Sequence, residues 1–273
     1  MAYKVLDIYR DLPGTNCGDC GRSGCFAFAT AVYLEGESLA RCPHLPPGQR
    51  ARMEALVARD RERGGGRRPA VSEQALEHLR GEMAGRDLRE VAERCGGRYL
   101  CGPPEAVEVP FLGRVHRILR GDVVTPEDPA PSIWVKIFLM IYATRATGRP
   151  LSGRWVSYRD LPNTVSKARS FEACVERIAR VFEGRPADLE RAARPLGGRP
   201  ADGAAAPVGY LFPALPRVPL LLLFWDREEE FPARAVVLLD EHVLDYLDQE
   251  ALVFLAEAFS ERLCRPGGRE ASG

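Results

Sequence analysis

Apolar residues fall along the chain in stretches of distinct period. A short apolar run at residues 26–34 follows Cys25 and stops at Gly36, which predicts a helix with a glycine C-terminus. Residues 49–63 are arginine-rich, with only Met53, Leu56 and Val57 as a thin apolar stripe, and predict a solvated helix. Residues 64–69 are mostly glycine and arginine and predict a flexible linker. Helical periodicity returns over 73–83 and 86–95, and residues 107–118 alternate in part, as strand with turns does. Ser132 is placed to cap a buried helix running to Thr144, and residues 155–158 predict a short strand. Phe171, Cys174, Val175, Ile178 and Phe182 recur at i, i+3, i+4, i+7 and i+11, an amphipathic helix that assigns Cys174 to the core. A Gly/Ala/Pro loop at 197–207 leads to the continuous apolar run 218–225, a buried strand. Residues 235–239 are its antiparallel neighbour across the charged turn 226–232. Asp248 caps a last helix whose core face carries Leu252, Leu255, Phe259 and Leu263.

These elements predict an α+β chain: a small Gly/Cys-rich module followed by a mixed, mainly antiparallel domain. The expected boundaries are 1–45 for the module, 46–74 for the basic helix and linker, 75–264 for the α+β domain and 265–273 for a disordered tail. Lys+Arg and Asp+Glu number 38 each, so no net field draws the chain to nucleic acid or a membrane. The basic stretch has no aromatic residue on which a base could stack. The apolar run 133–143 is broken by Lys136 and falls short of the roughly 20 residues needed to span a bilayer. Lys4, Asp7, Arg10 and Asp11 interrupt any apolar export signal, so a cytoplasmic location is expected. In a reducing compartment, eight cysteines suggest metal ligation and core thiols rather than disulfides.

Cys17, Cys20, Cys25 and Cys42 carry the candidate chemistry, in the spacing C-x2-C-x4-C-x16-C-P. A module of this size cannot build an independent core and needs a metal or a crosslink. Gly14, Gly18, Gly21 and Gly24 can let the chain wrap a cluster closely and point backbone N–H groups at its sulfurs. The dipole of the helix opening at Cys25 favours the same negative charge. Phe26 and Phe28 can shield the site from water. About ten helical residues lead about 15 Å away, and the remaining residues reach about 20 Å when extended, enough to return Cys42. Zinc sites more often pair two C-x2-4-C knuckles, and only one is present here. Four thiolates also suit a [2Fe–2S] centre, but a compact triplet with a remote Cys-Pro favours [4Fe–4S].

The pattern Leu12-Pro13-Gly14, Asn16-Cys17-Gly18, Cys20-Gly21, Cys25, Phe28-Ala29 and Cys42-Pro43 resembles a known [4Fe–4S] domain. That domain occurs in the corrinoid iron–sulfur protein large subunit, the acetyl-CoA decarbonylase/synthase gamma subunit and the Rnf complex B subunit. The resemblance implies that Cys17, Cys20, Cys25 and Cys42 bind the cluster. Residues 75–264 resemble an uncharacterised domain family that follows such modules in anaerobic prokaryotes. The matching pieces are Leu151-Ser-Gly-Arg-Trp155, Leu161-Pro162, Leu196-Gly197, Leu215-Pro-Arg-Val-Pro-Leu220, Glu229-Glu230-Phe231-Pro232 and Leu239-Asp240. Asn163-Thr164 departs from the family pattern, which has glycine after Leu161-Pro162.

Other clusters read as ordinary structure. Cys95 and Cys101 are expected to be loop thiols, Cys264 a core or surface thiol and His44 an exposed turn histidine. Asp240, Glu241 and His242 are expected to cap a strand end, and the acidic run at 226–230 to form a solvated hairpin tip. No catalytic constellation appears. The expected function is electron transfer or redox support in anaerobic, corrinoid or one-carbon metabolism, with a redox partner protein and neither nucleic acid nor membrane insertion. A sensor with a purely structural cluster, and an enzyme drawing electrons from it, are the alternatives.

Overall fold

The computed structural model describes residues 3–22, 24–62, 71–126 and 131–265. The expected linker at 64–69 lies outside them, as does all of the expected C-terminal tail except Arg265. The fold divides into two compact units, Met1–Ala75 and Leu76–Gly273.

In the first unit, α1 (Val5–Asp11) packs on α2 (Cys25–Thr30), whose last turn widens into a π-helical turn, Ala31–Glu35, closed by Gly36 in the left-handed conformation. The predicted helix thus ends where expected, with its second half loosened. A 3₁₀ turn, Leu39–Arg41, capped by Ser38, delivers Cys42. Next comes α3 (Pro47–Glu62), and its thin stripe is more than a solvated face. Met53 and Val57 are buried in one core with Ile8, Leu12, Phe28, Ala29, Val32, Leu39 and Leu45. The buried Asp60 accepts the Tyr3 backbone N–H at 3.2 Å and the Tyr33 hydroxyl at 3.3 Å. A basic helix therefore supplies part of the core of the Cys-rich module. Two apolar positions one turn apart suffice for that.

Helix α4 (Val71–Ala84) begins before the division and enters the second unit at Leu76, where α5 (Leu88–Cys95) follows. Strands β1 (Arg98–Leu100), β2 (Ala106–Phe111), β3 (Arg114–Ile118) and β4 (Val123–Val124) form an antiparallel sheet in that order. Helix α6 (Ile133–Arg145) is capped by Ser132, which accepts the Val135 N–H. Next come β5 (Trp155–Ser157), α7 (Ala168–Phe182), α8 (Pro186–Ala193), β6 (Arg199–Pro200), β7 (Val208–Leu215), β8 (Val218–Trp225), β9 (Arg234–Asp240) and α9 (Gln249–Leu263). The second sheet is antiparallel throughout, in the order β5-β9-β8-β7-β6. Strands β8 and β9 are the pair predicted across the charged turn, with Leu222 opposite Val237. Asp248 caps α9 by accepting the Ala251 N–H at 2.9 Å.

Cys174 corrects its assignment to the core. Burial on α7 follows Phe171, Val175, Ile178 and Phe182, while Cys174 is half-buried and donates to the Ser170 carbonyl. At 100° per residue it lies at the edge of that stripe. Asn163, standing where the family pattern has glycine, takes φ 60°, the left-handed conformation that glycine and asparagine adopt most readily. The buried Thr164 beside it donates to the Leu161 carbonyl at 2.9 Å.

Two hydrogen-bond networks anchor family motifs in the second unit. Asp240 is buried and accepts the backbone N–H groups of Ser152, Gly153 and His242 and the Ser152 hydroxyl, at 2.9–3.1 Å. These donors hold its carboxyl below the ordinary range although burial opposes them. The Tyr142 hydroxyl donates to the Cys95 carbonyl at 2.5 Å and accepts the Arg217 N–H at 3.0 Å, fixing the turn between β7 and β8 on α5 and α6. Both networks hold elements of the second unit together.

Candidate metal centre

Four residues in the left-handed conformation shape the loop that carries the first three cysteines: Gly14, Asn16, Gly18 and Gly21. Gly21, at φ 82°, also leaves room for the Arg41 guanidinium, which would lie 3.1 Å from an added Cβ. Its N–H donates to the Gly18 carbonyl at 2.8 Å, so this amide serves the turn and is not free to face a sulfur as expected. Gly24 is extended rather than left-handed, and its lack of a side chain accommodates Asn16, whose Oδ1 would stand 3.0 Å from a Cβ. That same Oδ1 accepts the Cys25 backbone N–H at 2.8 Å. Asn16 thus caps the start of α2 across the loop and ties the segment before Cys17 to Cys25.

A second tie fixes the return of the chain. The Glu37 carboxylate is almost fully buried; it accepts a hydrogen bond from Arg22 at 2.8 Å and forms an ion pair with Arg41 at 2.6 Å. Arg22 sits between Cys20 and Cys25, and Arg41 directly precedes Cys42. The clamp therefore joins the two segments that bear the candidate ligands.

Cys20, Cys25 and Cys42 are all buried and belong to the core of the first unit with Ile8, Leu12, Phe28 and Leu39. Cys17 is exposed, and its thiol lies within 4.8 Å of the Asp19 carboxylate. His44 approaches the same carboxylate, Nε2 to Oδ2, at 2.6 Å. His44 first, and then the nearby Cys17 thiol, hold the Asp19 carboxyl below its usual range. His44 is exposed as expected, but paired. Of the two phenylalanines, only Phe28 lies inside. Phe26 is 53% exposed and meets the Tyr9 ring edge-on at 5.6 Å, because α2 turns it away from the face carrying Cys25 and Phe28. Sequence reasoning overlooked Asn16, Asp19 and Glu37 as partners. Only Asn16 had a readable cue, as an asparagine within a run of glycines, where left-handed backbone is common.

The remaining cysteines stand apart from this arrangement by burial and partner. Cys95 is fully buried at the end of α5, and burial pushes its thiol up to about 11. Cys101 is exposed, and Cys264 half-buried. His116, in β3, is buried with its Nδ1 at 3.2 Å from the Arg114 carbonyl, and burial brings its pKa down to about 4. A recess of about 1140 Å³ in the second unit is bordered by Phe111, Trp134, Phe254, Arg114, Arg185 and Arg262.

Comparison with known proteins divides along the same line. Residues 12–44 match a family described as "Putative Fe-S cluster". The gamma subunit of the acetyl-CoA decarbonylase/synthase complex of Methanothermobacter thermautotrophicus is 41% identical over 58 residues, 21% of this chain and 13% of that protein. The corrinoid/iron-sulfur protein large subunit of Moorella thermoacetica is 40% identical over 58 residues, with the same coverage. The B component of the ion-translocating oxidoreductase complex of Magnetococcus marinus is 47% identical over 47 residues, 17% of this chain and 24% of that protein. The chain thus spans no more than about a quarter of the length of these relatives, and the likeness falls in its N-terminal region. No solved structure matches. No helix among the described residues is long and apolar enough to cross a membrane. Residues 87–262, nearly two thirds of the sequence, match a second model, and by that match the chain belongs to the family described as "Domain of unknown function (DUF3786)".

Proposed function

We propose that Cys17, Cys20, Cys25 and Cys42 hold one [4Fe–4S] cluster and that the protein passes electrons to a partner protein in anaerobic one-carbon metabolism. The match of residues 12–44 to an iron–sulfur family carries this reading. The donor set suits the group: three free thiols share a buried core and a fourth stands on the adjoining loop, with no disulfide among the eight cysteines. Bound there, the cluster supplies a one-electron couple. Cys20, Cys25 and Cys42 would anchor it in an apolar surround with Phe28, which excludes water from one side. Cys17 would present its opposite side to solvent, where a partner can approach. Asn16 and Glu37 would hold the ligand-bearing segments in register.

The relatives named as complex subunits support a protein partner, of corrinoid or one-carbon type, and we assign its docking to residues 75–264. A second reading, a cluster that only staples the module, is favoured by the burial of three ligands beside Met53 and Val57. Potentiometric titration separates the two. Reversible reduction at a potential on the order of −400 mV supports electron transfer. A cluster that accepts no electron reversibly leaves the staple.

A further inference from the structure

Asp19 stands between Cys17 and His44, and one ligating atom from each of the three residues lies within 4.8 Å of the others. All three are exposed, and none is part of the buried core. A thiol, a carboxylate and an imidazole form a mixed S/O/N set of the kind that binds zinc-class ions. Zinc bonds to such donors run about 2.0–2.3 Å, so atoms sharing one ion sit about 3–4.5 Å apart. The three ligating atoms already stand close to that range, and their side chains are exposed, where rotamers exchange quickly. Cys17 and Asp19 lie on the loop shaped by left-handed residues, while His44 follows Cys42-Pro43, so an ion here would clip the first ligand segment to the last.

We propose that, in the cluster-free protein, Cys17, Asp19 and His44 form an open three-donor site for a single zinc-class divalent ion, and that this ion competes with the cluster for Cys17. Three protein donors leave a fourth position to water. Binding releases the Cys17 thiol proton to solvent, forming a metal–thiolate bond with no change of oxidation state. The competition rests on the cluster reading above, whereas the ion site does not. Its effect is on assembly: a zinc-class ion on Cys17 withholds one of the four cluster ligands until it is removed.

The test is an anaerobic titration of the reduced, cluster-free full-length chain with cobalt(II), read by its thiolate-to-cobalt absorbance and by displacement with zinc. The expected result is one equivalent bound, with the band lost in Cys17→Ser and affinity lowered at least about tenfold in both His44→Ala and Asp19→Asn. Cys20→Ser should leave the binding intact. Unchanged affinity in His44→Ala, or loss of the band in Cys20→Ser, would place the ion on the buried thiols and overturn the proposal. In a second arm, zinc bound beforehand should slow cluster reconstitution in the native chain and not in His44→Ala; equal slowing in both overturns the competition. A chain that binds cobalt at the triad yet takes up no cluster would refute the cluster reading and leave the ion site standing.

Discussion

The Cys25 backbone N–H donates to Asn16 Oδ1 at 2.8 Å, across nine positions of sequence. This bond closes the loop containing Cys17 and Cys20 onto the helix that starts at the third cysteine. Asn16→Ala removes the cap, at a cost of about 1 kcal/mol. It also puts an unsuited residue at φ 50°, for about 1 kcal/mol more. The variant should lose iron to a chelator several-fold faster than the native protein, while Asn16→Asp, which keeps the acceptor, should stay close to native. Equal iron retention in native and Asn16→Ala protein would show that the bond does not organise the ligands.

Thiol reactivity follows burial. In cluster-free protein at about pH 8, Cys17 and Cys101 should be alkylated first and Cys95 last. A thiol pushed up to about 11 is ionised only about one part in a thousand at that pH. Loading the cluster should protect Cys17 and leave Cys101 unchanged. Peptide mass spectrometry after timed alkylation reads both results, and continued labelling of Cys17 in loaded protein would remove it from the ligand set.

His116 makes the second unit acid-sensitive. Burial lowers its pKa from 6.5 to about 4, so the folded state binds the proton less readily than the unfolded state. Its contribution is complete above pH 6.5 and is lost as pH falls from there to about 4, by about 3 kcal/mol in all. His116→Asn should flatten this part of the stability profile in denaturant titrations at several pH values. An unchanged acid limb would assign the sensitivity to other groups.

The two compact units predict separable stability. Cys42→Ser should lose or shrink the cluster while residues 75–264 keep their fold. Circular dichroism with limited proteolysis would reveal an intact C-terminal fragment. Collapse of the whole chain would contradict the division after Ala75.

Much of the second unit was legible because its elements carry local signals. The apolar run of β8, the period of α7 and the caps Ser132 and Asp248 are each set by neighbouring residues. The ties in the first unit are not local. Glu37 meets Arg22 across fifteen positions, and Asp60 meets Tyr3 across fifty-seven. Sequence period carries no information on such pairings, so the role of α3 in the core and the clamp before Cys42 were hidden. Phe26 and Cys174 were misplaced for a related reason: a residue at the margin of an apolar stripe is directed by the neighbours it meets, not by its spacing.

The function proposed for the chain depends on the identity of its metal centre. Its most direct test is anaerobic purification followed by iron, sulfide and zinc analysis, with electron paramagnetic resonance of the dithionite-reduced protein. A [4Fe–4S] centre gives about four iron and about four sulfide per chain, with a signal from the reduced cluster. One zinc per chain, with no sulfide and no such signal, would contradict it.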